Sequence, residues 1–67
     1  MEKEQWGRKI RAFRKLKGYT QIELARELEI SLSFLGEIER ENREPSAELV
    51  EKICDKLSIS VKEMRNL

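Results

Sequence analysis

Apolar residues recur along this chain in short helical stripes separated by polar turns, with no stretch of strand-like alternation. Trp6, Ile10, Phe13 and Leu16 return at the intervals of one helical face and predict a first helix from about Gln5 to Lys17. Gly18 suits a left-handed turn at its end, and the Tyr19 ring is expected to pack on the core. Thr20 then caps a second helix starting at Gln21, with Glu23 three residues on to complete a capping box. Leu24, Ala25 and Leu28 form its buried stripe, and Glu23, Arg26 and Glu27 fall outside it. Ser31 caps a third helix in which Leu35 and Ile38 turn inward, leaving Ser33, Gly36, Glu37 and Arg40 on another face. The polar run from Arg40 to Pro45, the only proline, predicts a loop. Ser46 caps a fourth helix with Leu49, Val50, Ile53, Cys54 and Leu57 inward, and Glu48 sits in its first turn, where the helix dipole favours a carboxylate. Ser58 and Ile59 make a short link, and Ser60 with Glu63 opens a last helix through Val61 and Met64. The expectation is an all-α, compact five-helix bundle, one domain over residues 1–67.

Composition narrows the chemistry. A chain of 67 residues buries only about 60% of its unfolded surface, so one small core and a few kcal/mol of net stability are expected. One cysteine and no histidine leave no internal disulfide and no zinc framework, and neither metal nor cofactor is expected. Cys54, between Ile53 and Leu57, reads first as a buried small hydrophobe and only second as a reactive thiol. No apolar run nears the roughly 18 residues of a membrane span, and Met1-Glu2-Lys3-Glu4 is not a signal peptide, so a soluble, cytoplasmic protein is expected. The net charge of +1 conceals an asymmetry: residues 1–20 hold seven basic groups against two acids, and the remainder holds seven against eleven. Arg8, Arg11 and Lys15 form a basic stripe on the first helix that reads equally as a solvated face or as a phosphate-facing one.

Two capped helices about three residues apart, within 20–40, suggest a helix-turn-helix, whose second helix has the width of a DNA major groove. Over IRAFRKLKGYTQIELARELEISLSFLGEIERENREPSAELVEKICDKLSISVKEM the chain resembles the phage-repressor and Cro type of helix-turn-helix domain, the xenobiotic-response-element-like regulators with a lambda-repressor-like fold. RKLKGYTQ, TQIELA, SFLGEIER and PSAELVEKI carry the resemblance in order. It implies that Gln21 touches the DNA backbone or a base edge and that Leu32, Ser33, Gly36 and Glu37 face the groove. It implies further that Arg40, Asn42 and Arg43 approach phosphates, and that Arg14 and Glu39 bridge the first helix to the end of the third. A guanidinium can hold a carboxylate through two parallel hydrogen bonds, which would fix the angle of the third helix.

Three features depart from the family pattern. Glu29 stands at the inter-helix turn where the family usually has glycine, and a left-handed backbone there would cost roughly 1–2 kcal/mol more for Glu. Leu32 offers only apolar contact where a hydrogen-bonding side chain is usual, and it reads alternatively as packing on the protein or on a partner. Glu37 could accept from cytosine N4, yet segment 21–45 holds seven acids against three arginines, so DNA affinity would rest on the arginines, on helix N-termini and on paired subunits. Phe34 reads as core or core edge. Gly36 reads as a gap that lets the helix approach the groove floor, or as a neutral surface position.

The functional expectation is a sequence-specific double-stranded DNA-binding transcriptional regulator of bacterial or phage type, nucleoid-associated, a repressor with its recognition helix at about 32–40 in the major groove. It is expected to act as a homodimer on a palindromic operator. Val61, Met64 and Leu67 are the candidates for the dimer surface, with completion of the monomer core the equal alternative for Val61 and Met64. The rival is a protein-interaction module on the same scaffold, an antitoxin or accessory factor. Leu32 and the acidic middle segment favour it; the basic first helix, Gln21, Arg40 and Arg43 oppose it. Enzyme activity is not expected, since no histidine exists and no nucleophile stands beside a base in sequence.

Overall fold

Hydroxyl caps fix where four of the five helices begin. In the computed structural model, which describes residues 5–67, these are α1 (Trp6–Leu16), α2 (Gln21–Leu28), α3 (Leu32–Glu39), α4 (Ala47–Lys56) and α5 (Val61–Arg65). Thr20, Ser31, Ser46 and Ser60 accept from the backbone N–H three residues on, at 3.1, 3.0, 3.1 and 2.9 Å, each worth about 1 kcal/mol against alanine. Both expected capping boxes close: Glu23 accepts from the Thr20 N–H and Glu63 from the Ser60 N–H. The Thr20 N–H and hydroxyl hold the Glu23 carboxyl below its ordinary value. Its stabilising contribution is therefore present above the usual carboxylate range and is lost as pH falls through the depressed value. α1 takes its cap from far along the chain, because Gln5 supplies none and the Glu41 carboxylate accepts from the Arg8 N–H at 3.0 Å.

The core is contributed by every helix. Ile10, Leu24, Leu28, Leu35, Ile38, Ile53, Leu57 and Met64 are fully enclosed, with Ala25, Val50, Cys54 and Ile59 beside them. α1 packs on α3 and α5, α2 on α3 and α4, and α4 on α5, in a body of 32 × 23 × 19 Å. Cys54 is buried with its Sγ 3.9 Å from Met64 Sδ, and that burial, with Glu51 and Glu63 nearby, pushes the thiol pKa up, so the group is a neutral packing element. One alternative left open by the sequence is decided here, and one expectation is corrected. Met64 has 0% exposure and belongs to the core, leaving nothing of itself for a partner subunit. Leu16, read as part of the buried stripe of α1, is 74% exposed, because the inward face runs through Gly7, Ile10 and Arg14.

Among the described residues, three that are not glycine adopt positive φ: Glu29 (59°), Glu41 (67°) and Ser58 (59°). Each ends a helix and returns the chain toward the core or the interface. At Ser58 the turn brings Ile59 inside, so the link read from sequence contributes to the core. At Glu29 the Ile30 N–H reaches back to the Ala25 carbonyl at 3.0 Å and Ser31 is set to cap α3. A side chain pays for this backbone in steric strain, whereas glycine does not. We therefore expect Glu29→Gly to raise unfolding free energy by roughly 0.5–1 kcal/mol, the strain relieved exceeding the extra chain entropy of glycine, as read by urea denaturation.

Candidate nucleic-acid interface

The inner side of α3 buries Leu35, Ile38 and Glu39 against the core, and this determines what its other side offers. Leu32, Ser33 and Arg40 are exposed, Leu32 at 44%, and Phe34 and Glu37 are half-buried along the flanks. The angle of the helix is set by a buried ion pair. Arg14 donates from Nε to Glu39 Oε2 at 2.7 Å and from Nη2 to Oε1 at 3.0 Å, with side-chain exposures of 9% and 3%. Its Nη1 donates to the Tyr19 carbonyl at 3.0 Å, and Gln21 Nε2 donates to the same Glu39 Oε1 at 3.1 Å. The Arg14–Glu39 pair thus ties together α1, the turn after it, the start of α2 and the end of α3. The Glu39 charge is tolerable in a low-dielectric site because three donors are aimed at it.

Gln21 is consequently held by its amide nitrogen, and its Oε1 stays available as an acceptor. Gly36, read as open on the groove side, is instead buried, which corrects that placement. The Cβ of any other residue there would lie 3.2 Å from Arg40 Nη1 and 3.8 Å from Gln21 Nε2, so these two side chains roof the glycine. They bring an amide and a guanidinium together at the seam of α2 and α3. Asn42 and Arg43 are exposed in the loop after α3, whose course is set by the Glu41 turn and by the Asn42 N–H on the Glu37 carbonyl at 2.9 Å. Arg43 Nε donates to Glu37 Oε1 at 3.0 Å, and the guanidinium stands 5.4 Å from the Phe34 ring centroid.

Two positions that shape the candidate interface, Gly7 and Glu41, escaped the sequence reading. Gly7 lets α1 approach the last turn of α3, where an added Cβ would collide with the Ile38 carbonyl oxygen. Its spacing to Ile10 and Arg14, three and seven residues, is the signal that could have found it. Glu41 caps α1 from the loop, and no local pattern announces a contact across 33 positions. Phe34 underlies Arg43 in addition to packing against the core. Among the described residues no metal-binding group of His, Cys, Asp or Glu side chains occurs, and no helix is long and apolar enough to cross a membrane.

The helix-turn-helix family model matches residues 10–64, from the α1 core residue Ile10 to the α5 core residue Met64. The chain belongs to the helix-turn-helix family. It is 61% identical over 64 residues to YazB of Bacillus subtilis (strain 168), an uncharacterized HTH-type transcriptional regulator, covering 96% of this chain and 93% of that one. It is 38% identical over 55 residues to the immunity repressor protein of Bacillus phage phi105, covering 82% of this chain but 38% of the repressor. The crystal structure of SinR, the master regulator for biofilm formation, in complex with DNA superposes with a TM-score of 0.80 at 37% identity, over 88% of this chain and 95% of that one. Membership in this family supports DNA-binding regulation of transcription, not catalysis.

Proposed function

We propose that this helix-turn-helix protein is a sequence-specific repressor of transcription that places α3 in the major groove and acts in the cytoplasm as a homodimer on a palindromic operator. The observation that carries the reading is the orientation of α3: its core side is locked by Leu35, Ile38 and the Arg14–Glu39 pair, while Leu32, Ser33 and Arg40 remain open. Leu32 would meet a thymine methyl and Ser33 a base edge. Gln21, Arg40, Asn42 and Arg43 would meet phosphates and set the register. A body 32 Å in its longest dimension suits one half-site, since the half-sites of such dimers lie about 34 Å apart. Leu67, exposed at 62%, and the half-buried Val61 are the residues left for the dimer contact.

Titrating salt against affinity for random duplex DNA tests the reading, because phosphate neutralisation makes log K fall steeply with log salt. Arg43→Ala is expected to weaken binding evenly across sequences and to reduce that slope by about 1. A change of preferred sequence alone would remove Arg43 from the phosphates. Salt-independent or absent binding would favour the protein-interaction reading, for which exposed Leu32 is the observation in hand.

A further inference from the structure

Glu37 stands on the flank of the recognition helix as a carboxylate where phosphates are to approach, and a free acid there would repel them. It is not free. Its Oε1 accepts from Arg43 Nε at 3.0 Å, and the same guanidinium lies 5.4 Å from the Phe34 ring. Bonding at Nε has a chemical consequence, because a guanidinium donates in two forks and the one between its terminal nitrogens is untouched by Glu37.

We propose that Glu37 is a positioning residue for backbone binding: with the Phe34 ring it fixes the plane of Arg43 so that the Nη1 and Nη2 donors meet one DNA phosphate in parallel. This rests on the reading that the chain binds duplex DNA, and it changes the part assigned to Glu37 from base acceptor to support. The pair is solvent-exposed, so its influence on folding is small. Its influence on binding comes from holding in advance a side chain that otherwise loses rotamer freedom on meeting the phosphate. It also offsets the carboxylate charge locally, which lets an acidic residue border the interface.

The test compares two neutral replacements, so that the charge lost is the same in both. Glu37→Gln keeps an oxygen that can accept from Arg43 Nε, and Glu37→Ala does not. Affinities are measured for both in the native background and in an Arg43→Ala background, on a selected duplex and on a random one. The unmodified protein serves as reference, and thermal melts verify folding. Glu37→Gln is expected to bind about threefold more tightly than Glu37→Ala on both duplexes, with the difference gone once Arg43 is absent. Equal affinity of the two variants would overturn the proposal, as would a difference that survives Arg43→Ala. A difference confined to the selected duplex would return Glu37 to base reading. Absence of salt-dependent binding by the unmodified protein is a separate result, and it would overturn the DNA reading together with the proposal.

Discussion

Glu39→Ala is expected to lower the unfolding free energy by about 3–5 kcal/mol, which in a domain of this size removes most of the net stability. The substitution leaves the Arg14 guanidinium enclosed without its counter-ion, with only the Tyr19 carbonyl still accepting from it, and it also deprives Gln21 of its acceptor. Most of the loss is the cost of an uncompensated buried charge, not the intrinsic worth of the pair. That distinction has its own consequence: replacing Arg14 and Glu39 together by methionines should cost far less than Glu39→Ala alone. The double variant should fold yet bind DNA less well, because two parallel hydrogen bonds no longer set the angle of α3. Urea denaturation of the single and double variants reads both effects, and an unchanged midpoint for Glu39→Ala would remove the pair from the account.

Gly7→Ala is expected to destabilise by about 2 kcal/mol and to lower the melting temperature by roughly 10 °C. In an exposed helix the same change would stabilise by about 1 kcal/mol. Here the added methyl group meets the Ile38 carbonyl oxygen and lies 3.2 Å from the Glu39 carbonyl carbon and oxygen, all of them backbone atoms that no rotamer change can move. α1 and α3 must separate, and binding to DNA should weaken in parallel with stability. Gly36→Ala is the internal control. Its nearest neighbours are the ends of the Arg40 and Gln21 side chains, which can swing aside, so its stability should stay within about 1 kcal/mol of the unmodified protein. Equal melting temperatures for Gly7→Ala and the unmodified protein would contradict the close approach of the two helices.

The Gly7 and Arg14 positions also explain how far the sequence could be read. The starts of α2 to α5 are legible from their hydroxyl caps, Thr20 to Ser60, while α1 is legible from its 3.6-residue apolar period alone. In α1 Trp6, Ile10 and Phe13 lie on the inward face as their spacing implies, but its other inward positions, Gly7 and Arg14, are a residue with no side chain and a charged one, and neither scores as hydrophobic. Leu16, apolar but at the helix end, drew the expected face away from them. Met64 was ambiguous because a five-residue helix shows too little period to say which way it faces, and only the packing against α1 and α4 resolves it.

The candidate interface was legible in part. Leu32, Ser33 and Arg40 are exposed on the outer side of α3, but no spacing in sequence could show Arg43 folded onto Glu37 and Phe34, or Gly36 roofed by Arg40 and Gln21. Those arrangements depend on left-handed turns at residues that are not glycine, Glu29 before α3 and Glu41 after it. The family pattern flags Glu29, since glycine is usual there, but nothing flags Glu41, because the conformation is costly for glutamate and usually left to glycine.

The most direct test of α3 as the reading element is selection of bound sequences from a random duplex pool, run in parallel for the unmodified protein and for Leu32→Gln. The expected result is an enriched motif of two related half-sites centred about 10 base pairs apart, with a changed base at one position of each half-site for the variant. Enrichment of no motif, or of the same bases by both proteins, would contradict it.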